Sequence, residues 1–359
     1  MAWSVWACDT VTGTRLQKLP QPAAFSWARA LNEGSGGSAT IPLRAANFAG
    51  LNLKSLSTPL ARTWVLDWDG SAVYAGIIED RIYNHKAGTL TLPHSDLWTI
   101  LDRRLAIDHR EPVAKVVHQS FTSLSSATVA KKMTQLGIAG LSDMNMLLPI
   151  TFSADSSGPI TRKYYGYHFA WLGDVLRDLM NEDGGTDIDF RPRWLANKLD
   201  WQMRTGSLTS GTFEWHLGVD KSGTIGLTVT EDSSKVATAS YAIGEGSEVD
   251  KLARSRRVID PPIPFLDRIT ALSTEDNEDA LTRYAIGDLA AFQKPTEQWG
   301  FSTMASGTPA VSDLLLGGSA KTWVQEDPWL STGWHNNRII GFSGDLSEKV
   351  KLQLQPGVL

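Results

Sequence analysis

Between Arg62 and Arg104 the order of side chains leaves the backbone little choice. Trp64, Leu66 and Trp68 fall on one face of an extended strand, with Val65 and Asp67 on the other. Asp69-Gly70 follows at once, a dipeptide that accepts the positive φ values of a tight two-residue turn. The reading is a hairpin in which Trp64–Trp68 pairs with Ala72–Tyr83. Thr89, Leu90, Thr91 and Leu92 continue the two-residue period, and Pro93 has no N–H to give a ladder, so the sheet is expected to end near it. Ser95 is then expected to cap a helix carrying Leu97, Trp98, Leu101 and Leu105.

The same alternation recurs elsewhere. Residues 2–8 and 24–31 read as strands, with Phe25 and Trp27 on one face. Gly34-Ser35-Gly36-Gly37-Ser38 lacks the Gly-Lys-Ser/Thr and following helix of a phosphate cradle, and reads as a flexible hairpin loop before the strand Ala39–Leu43. Ser125–Gly137 reads as a helix, Pro149–Thr161 as a loop or link, and Gly166–Glu182 as the strongest helix, with Trp171, Val175, Leu176 and Leu179 on its apolar stripe. Thr186–Trp194 and Leu199–Gly206 make a second hairpin. Strands are read at 225–231, 235–243 and 249–258 and at Ile269–Leu272, then a helix after Ser273-Thr274-Glu275-Asp276 with Leu281, Tyr284, Ala285, Leu289 and Phe292 on one side. Lys321–Gln325, Arg338–Phe342 and Val350–Leu354 close the chain as strands, read as a second small barrel.

Composition narrows the function classes. Across 359 residues, 34 Lys+Arg against 39 Asp+Glu give a net charge of −5, which argues against a sequence-independent grip on nucleic acid. A single cysteine, Cys8, excludes an intrachain disulfide framework and sits in an apolar run as a buried thiol. The start, Met1–Trp6, does not read as a signal peptide, and no stretch is long enough to cross a bilayer, so a soluble protein of a reducing cytoplasm is expected. The 14 Trp residues favour inner sheet faces and subunit interfaces.

Candidate chemistry is thin. Asp187 and Asp189 lie two apart on one strand and read as carboxylates of a solvated face, while Glu79 and Asp80 point to opposite sides and make no pair. His85, His94, His109, His118, His168, His216 and His335 show no His-Glu-x-x-His or other short ligand spacing, and His94 reads as a turn residue. Gly244-Glu245-Gly246 lacks the third glycine of a dinucleotide fingerprint. Arg254-Ser255-Arg256-Arg257 is the densest basic run and suits a solvated strand edge that discourages pairing. Arg103 and Arg104 suit the end of a helix. No catalytic, cofactor-binding or metal-binding residue is assigned.

Trp6, the Asp9 to Gly13 turn, Phe25-Ser26-Trp27, the Gly34–Leu43 run, the Asp69-Gly70 hairpin, Ala75-Gly76-Ile77-Ile78 and Leu101-Asp102-Arg103-Arg104 occur in this order over the first third. With Asp187–Arg204, they resemble minor tail proteins of long-tailed actinobacterial phages, a family similar to the central baseplate hub proteins of contractile tails. The resemblance implies a β-rich α+β fold with two small antiparallel β-barrels, at residues 1–105 and 296–359, flanking a mixed α/β middle region at 106–295. It implies a non-enzymatic minor tail protein of a siphovirus, a homotrimeric tail-tip hub joining the distal tail protein and the tape measure protein to peripheral receptor-binding proteins in host attachment. Only in a trimeric hub of that kind would the face of the Arg254–Arg257 run line a channel or meet an acidic partner. Such a protein is made in the host cytoplasm and resides in the virion, with no cofactor, no membrane span and no specific nucleic-acid binding. The alternative is a tail-associated cell-wall polysaccharide hydrolase or carbohydrate-binding protein, since the Trp residues also fit a sugar platform. Hydrolysis would need two carboxylates across a cleft.

Overall fold

The computed structural model of the chain describes residues 2–110, 118–140, 146–217, 223–273 and 275–356. Met1 of the leader reading and Thr274 of the acidic run lie outside these residues.

The chain opens with strands β1 (Trp3–Asp9), β2 (Arg15–Leu19), β3 (Ala24–Ala30) and β4 (Gly36–Pro42), then the one-turn helix α1 (Leu53–Leu56). The hairpin β5 (Arg62–Trp68) and β6 (Ser71–Ile78) leads to β7 (Ile82–Asn84), β8 (Thr89–Ser95) and the short helix α2 (Trp98–Leu101). Next come β9 (His118–Leu124), α3 (Ser126–Ile138), β10 (Ile150–Phe152), β11 (Ile160–Tyr165), α4 (Leu172–Asn181), β12 (Asp187–Leu195) and β13 (Lys198–Gly206). After β14 (Thr212–His216) and β15 (Ile225–Asp232), a small unit is made of β16 (Ala239–Ile243), β17 (Ala253–Arg257), β18 (Asp267–Ala271) and α5 (Glu278–Phe292). The chain ends with β19 (Thr296–Met304), β20 (Ser319–Val324), β21 (Gly333–Gly344) and β22 (Lys349–Pro356).

Fourteen strands form one sheet in the order β15-β19-β22-β21-β3-β4-β8-β6-β5-β1-β2, with β14, β20 and β7 branching from that path. The β-rich character matches expectation. The two closed barrels do not: among the described residues no sheet closes on itself, and the two ends of the chain share one sheet. The cause lies in β3. Its first half, Ala24–Ser26, pairs with β4, whereas Trp27–Ala30 crosses to pair with β21. At the parting point Gly37 lies so close to the Ser26 carbonyl oxygen that a Cβ there would fall 2.0 Å from it. A single buried cluster accordingly runs from Trp3 through Trp27, Trp64 and Trp68 to Phe301, Phe342 and Leu354. Burial of so many large rings in one interior is the main force holding the sheet together.

Local readings hold where the signal is local. Asp69 and Gly70 carry φ of 51° and 90°, and Trp68 faces Ser71 across the turn. Ser125 caps α3 by accepting from the Thr128 N–H at 3.1 Å. Others need correction. The sheet ends near Pro93, as expected, but two residues past it: β8 continues to Ser95, with Pro93 opposite Ser38 and its carbonyl accepting from the Glu79 N–H at 3.0 Å. Ser95 therefore stays in the strand, and Asp96 takes the Trp98 N–H at 3.0 Å to start a helix of one turn. Gly36 and Gly37 are strand residues and not loop. Within the expected link at Pro149–Thr161, β10 pairs in parallel with β13. The helix expected from Gly166 begins at Leu172, so Trp171 stands before it and is 49% exposed.

A second buried cluster packs α2, α3 and α4 against the β12–β13 hairpin, through Trp98, Met133, Leu172, Leu176, Phe190 and Trp201. A third seats Leu281, Tyr284 and Ala285 of α5 on Ala242 of β16. Asn277 caps α5 by accepting from the N–H groups of Asp279 and Ala280.

Candidate functional site

Two features carry the work of this fold: an ionic joint between the sheet and the β12–β13 hairpin, and two of the sheet's edge strands, β2 and β15. The joint uses the polar side of β12. Asp189 is 3% exposed and accepts from Arg29 on β3 at 2.7 Å and from Arg204 on β13 at 2.8 Å. Two residues earlier, Asp187 accepts from Asn32 at 3.0 Å, from the Leu208 N–H at 3.1 Å and from Arg338 on β21. The solvated face expected for this acid pair is instead an inter-element seam, because the large sheet covers it. Burial, followed by the neighbouring Arg29 and Arg204 charges, holds the Arg191 guanidinium below its ordinary pKa. These carboxylates are fully engaged as acceptors in ion pairs, a positioning arrangement and not an acid–base pair.

At the edges, β2 pairs only with β1 and β15 only with β19. Strand β2 presents Leu16, 42% exposed, and the cations Arg15 and Lys18; Arg15 stacks 3.5 Å from the centre of the Trp194 ring. Strand β15 presents Ile225, 53% exposed, and the anions Glu231 and Asp232. Both edges offer unpaired main-chain groups, one flanked by positive and one by negative charge.

The remaining candidates are structural. Glu79 accepts from Ser95 at 2.9 Å and from Thr99 at 2.6 Å, holding α2 to β8, while Asp80 is exposed. His94 is not in a turn: it lies in β8, 1% exposed, bonded to the Tyr74 hydroxyl at 2.8 Å, with burial pushing its pKa down to about 4. His118 and His168 sit in a ring cluster with Tyr165 and Tyr167, and His85 contacts Tyr83. His216 packs on Trp334 and His335 on Trp299; His109 lies after α2. Among the described residues no group of three or more His, Cys, Asp or Glu is arranged to hold a metal ion. Cys8 is buried, and burial raises its thiol pKa to about 12. Gly34–Ser38 holds no phosphate pocket, since the Ser35 N–H and hydroxyl both donate to Asp96. Gly244 and Gly246 bracket a turn between β16 and β17. Arg254 of the basic run pairs with Glu278, while Arg256 and Arg257 are exposed. Arg103 pairs with Glu79, and Arg104 donates to the carbonyls of Gly137 and Met146, tying α2 to the middle of the chain. No helix among the described residues is long and apolar enough to cross a membrane.

Sequence reasoning missed Arg29 and Arg338 as partners of the acids; a charged residue within the alternating strand Ala24–Ala30 was the only local signal. It also missed the aromatic run from Tyr164 to Trp171.

Solved phage tail proteins share this fold over nearly the whole chain. The tail protein from Neisseria meningitidis MC58 superposes with a TM-score of 0.59 at 12% identity, covering 99% of this chain and 97% of that one. The 43 kDa tail protein of prophage MuSo2 from Shewanella oneidensis gives 0.58 at 10% identity, covering 99% of both chains. An E. coli component of the type VI secretion system, described as structurally similar to T4 bacteriophage tail proteins, gives 0.52 at 12% identity over 95% of this chain and 75% of that one. No family model matches the sequence, and no curated protein matches it. At these identities the likeness is one of fold.

Proposed function

We propose that this chain is a structural minor tail protein, the tail-tip hub of a long-tailed actinobacterial phage. The observation that carries the proposal is the end-to-end likeness to tail proteins, with 99% of the chain superposed on two of them at nearly equal length. In this reading residues 1–105 and 296–359, with β14 and β15 of the same sheet, build the ring, and the rest of 106–295 forms the mixed region attached to it through the Asp187–Asp189 joint. The hub is a homotrimer at the tip of the virion tail, joining the distal tail protein and the tape measure protein to peripheral receptor-binding proteins, without enzymatic turnover.

The sheet edges support the trimer. A basic edge on β2 and an acidic edge on β15 are complementary head to tail, and a heterologous contact of that kind forms a ring when its rotation closes. The test is a charge swap on exposed residues. The unaltered protein is expected to reach three times its 39.3 kDa mass in solution. Lys18→Glu is expected to weaken the trimer at least about tenfold, or about 1.4 kcal/mol, and Glu231→Lys to restore it. A trimer indifferent to both changes would remove the edges from the interface, and a monomer at every concentration would count against the trimer itself.

A further inference from the structure

A second surface has no part in the sheet or its edges. Strands β9 and β11 form a two-stranded ribbon whose inner residues, Phe121, Ile160 and Tyr164, pack into the second buried cluster. The opposite face carries Ser120 beside Lys163 and His118 beside Tyr165. The chain then runs on through Tyr167, Phe169 and Trp171, each 49% exposed. Tyr165 and Tyr167 lie 5.1 Å apart with their planes 30° from parallel, and His118 and His168 stand edge-on to Tyr167 at 5.7 Å and 4.6 Å. Phe169 has φ of 47°, in the left-handed region that a bulky side chain avoids, yet its ring gains no buried position from that strain. The Nε2 of His168 is buried without a hydrogen-bond partner.

Of these rings Tyr165 lines an open cleft of about 500 Å³ between the ribbon and the start of α5, and Tyr167 lies against Tyr165. Ser120, Thr122, Lys163, Tyr165, Asp276 and Asn277 line it, the charge of Asp276 holds the Tyr165 hydroxyl above its ordinary pKa, and none of its lining residues is aliphatic.

We propose that this cleft and its tyrosine pair bind an uncharged oligosaccharide. Sugar rings present C–H faces that stack on aromatic faces and a rim of hydroxyls that need paired donors and acceptors. The cleft supplies both, as hydroxyl, amide, ammonium and carboxylate groups beside exposed rings. A protein partner's apolar anchor would call for an aliphatic-lined pocket, which this cleft lacks. Arg162 pairs with Glu182 at 2.5 Å and with Glu275 at 3.7 Å, and Glu278 pairs with Arg254, which leaves Asp276 against Lys163, so the cleft has little net charge with which to hold phosphate or uronate and suits neutral sugars.

The test is native gel electrophoresis of the whole chain through gels containing dextran, galactan or mannan, with polygalacturonate and polymer-free gels beside them. Retardation is expected in at least one neutral polysaccharide. Tyr167→Ala, at a half-exposed position, is expected to leave the melting curve unchanged and to weaken that retardation at least about tenfold, one hydrophobic hot-spot contact. Asp276→Asn serves as a second probe of the polar rim and is expected to weaken it as well. Retardation in none of the neutral gels, or only in polygalacturonate, overturns the proposal. So does retardation that neither variant reduces, or a change in oligomeric mass in Tyr167→Ala that would mark the face as a contact between copies.

Discussion

Arg29, on β3, donates to Asp189, on β12, at 2.7 Å, with both side chains more than nine-tenths buried. The pair joins the strand that links the two ends of the chain to the hairpin that carries the helical middle. Asp189 also neutralises Arg204, so removing the acid would strand two guanidinium groups in the seam. Asp189→Ala is therefore expected to destabilise the fold by about 3 kcal/mol or more, the range for breaking a buried pair. Urea denaturation measures it; a loss under about 1 kcal/mol would mean that water reaches the seam.

Trp27 tests whether the chain's two ends share one interior. Its ring lies 5.8 Å from Trp3 and 6.0 Å from Phe342, and its N–H donates to the Asp345 carbonyl at 3.1 Å. Trp27→Ala is expected to cost about 3–5 kcal/mol. Fluorescence and calorimetric melts should shift together for residues of both ends. Independent melting of the amino-terminal and carboxyl-terminal strands would contradict a common core.

Asp178 sets a pH dependence. Burial first, and then the charge of Glu182, raise its pKa to about 7, against the opposing influence of Arg162. In the unfolded chain the acid ionises near its ordinary 3.8, so the folded state holds the extra proton between these values. Its favourable contribution is complete below pH 3.8 and disappears as pH rises through 7. Asp178→Asn should be more stable than the unaltered protein at pH 8, by about 2 kcal/mol, with the gap closing near pH 4. Parallel stability curves for the two proteins would refute this.

His94 works in the opposite direction. Burial lowers its pKa from 6.5 to about 4, so below pH 6.5 the unfolded chain takes up a proton that the folded one refuses. The stability tied to neutral His94 is present above pH 6.5 and is lost as pH falls towards 4. His94→Gln is expected to flatten the acid limb of the stability profile. An unchanged slope between pH 6.5 and 4 would show that the imidazole does not sense that range.

What could be read in the sequence was what neighbours in the chain decide. The Asp69-Gly70 turn, the Phe25–Trp27 face, the helix read from Ser125 and the β12–β13 hairpin each depend on residues within a few positions, and each appears in the structure. The pairing of Trp27–Ala30 with residues 341–344 joins segments some three hundred residues apart, and no period in either strand names its partner. That pairing is why two barrels were expected where one open sheet stands. Alternation correctly placed Asp187 and Asp189 opposite Ile188 and Phe190, but a two-residue period says nothing about a second layer covering the polar side. Pro93, which cannot donate, marks the end of β8 to within two residues, while its carbonyl still accepts. The aromatic run at Tyr165–Trp171 is visible as letters, and the half-exposure of Tyr167, Phe169 and Trp171 follows from α4 starting after it.

The central claim is that copies of this chain surround an axis at the end of a phage tail. Cryo-electron microscopy of the intact virion measures that directly, by fitting the fold into the density of the tail. The account predicts three copies around the tail axis at its distal end, edge strands facing neighbouring copies. Density that places the chain in the capsid, or as one copy away from the tip, would contradict it.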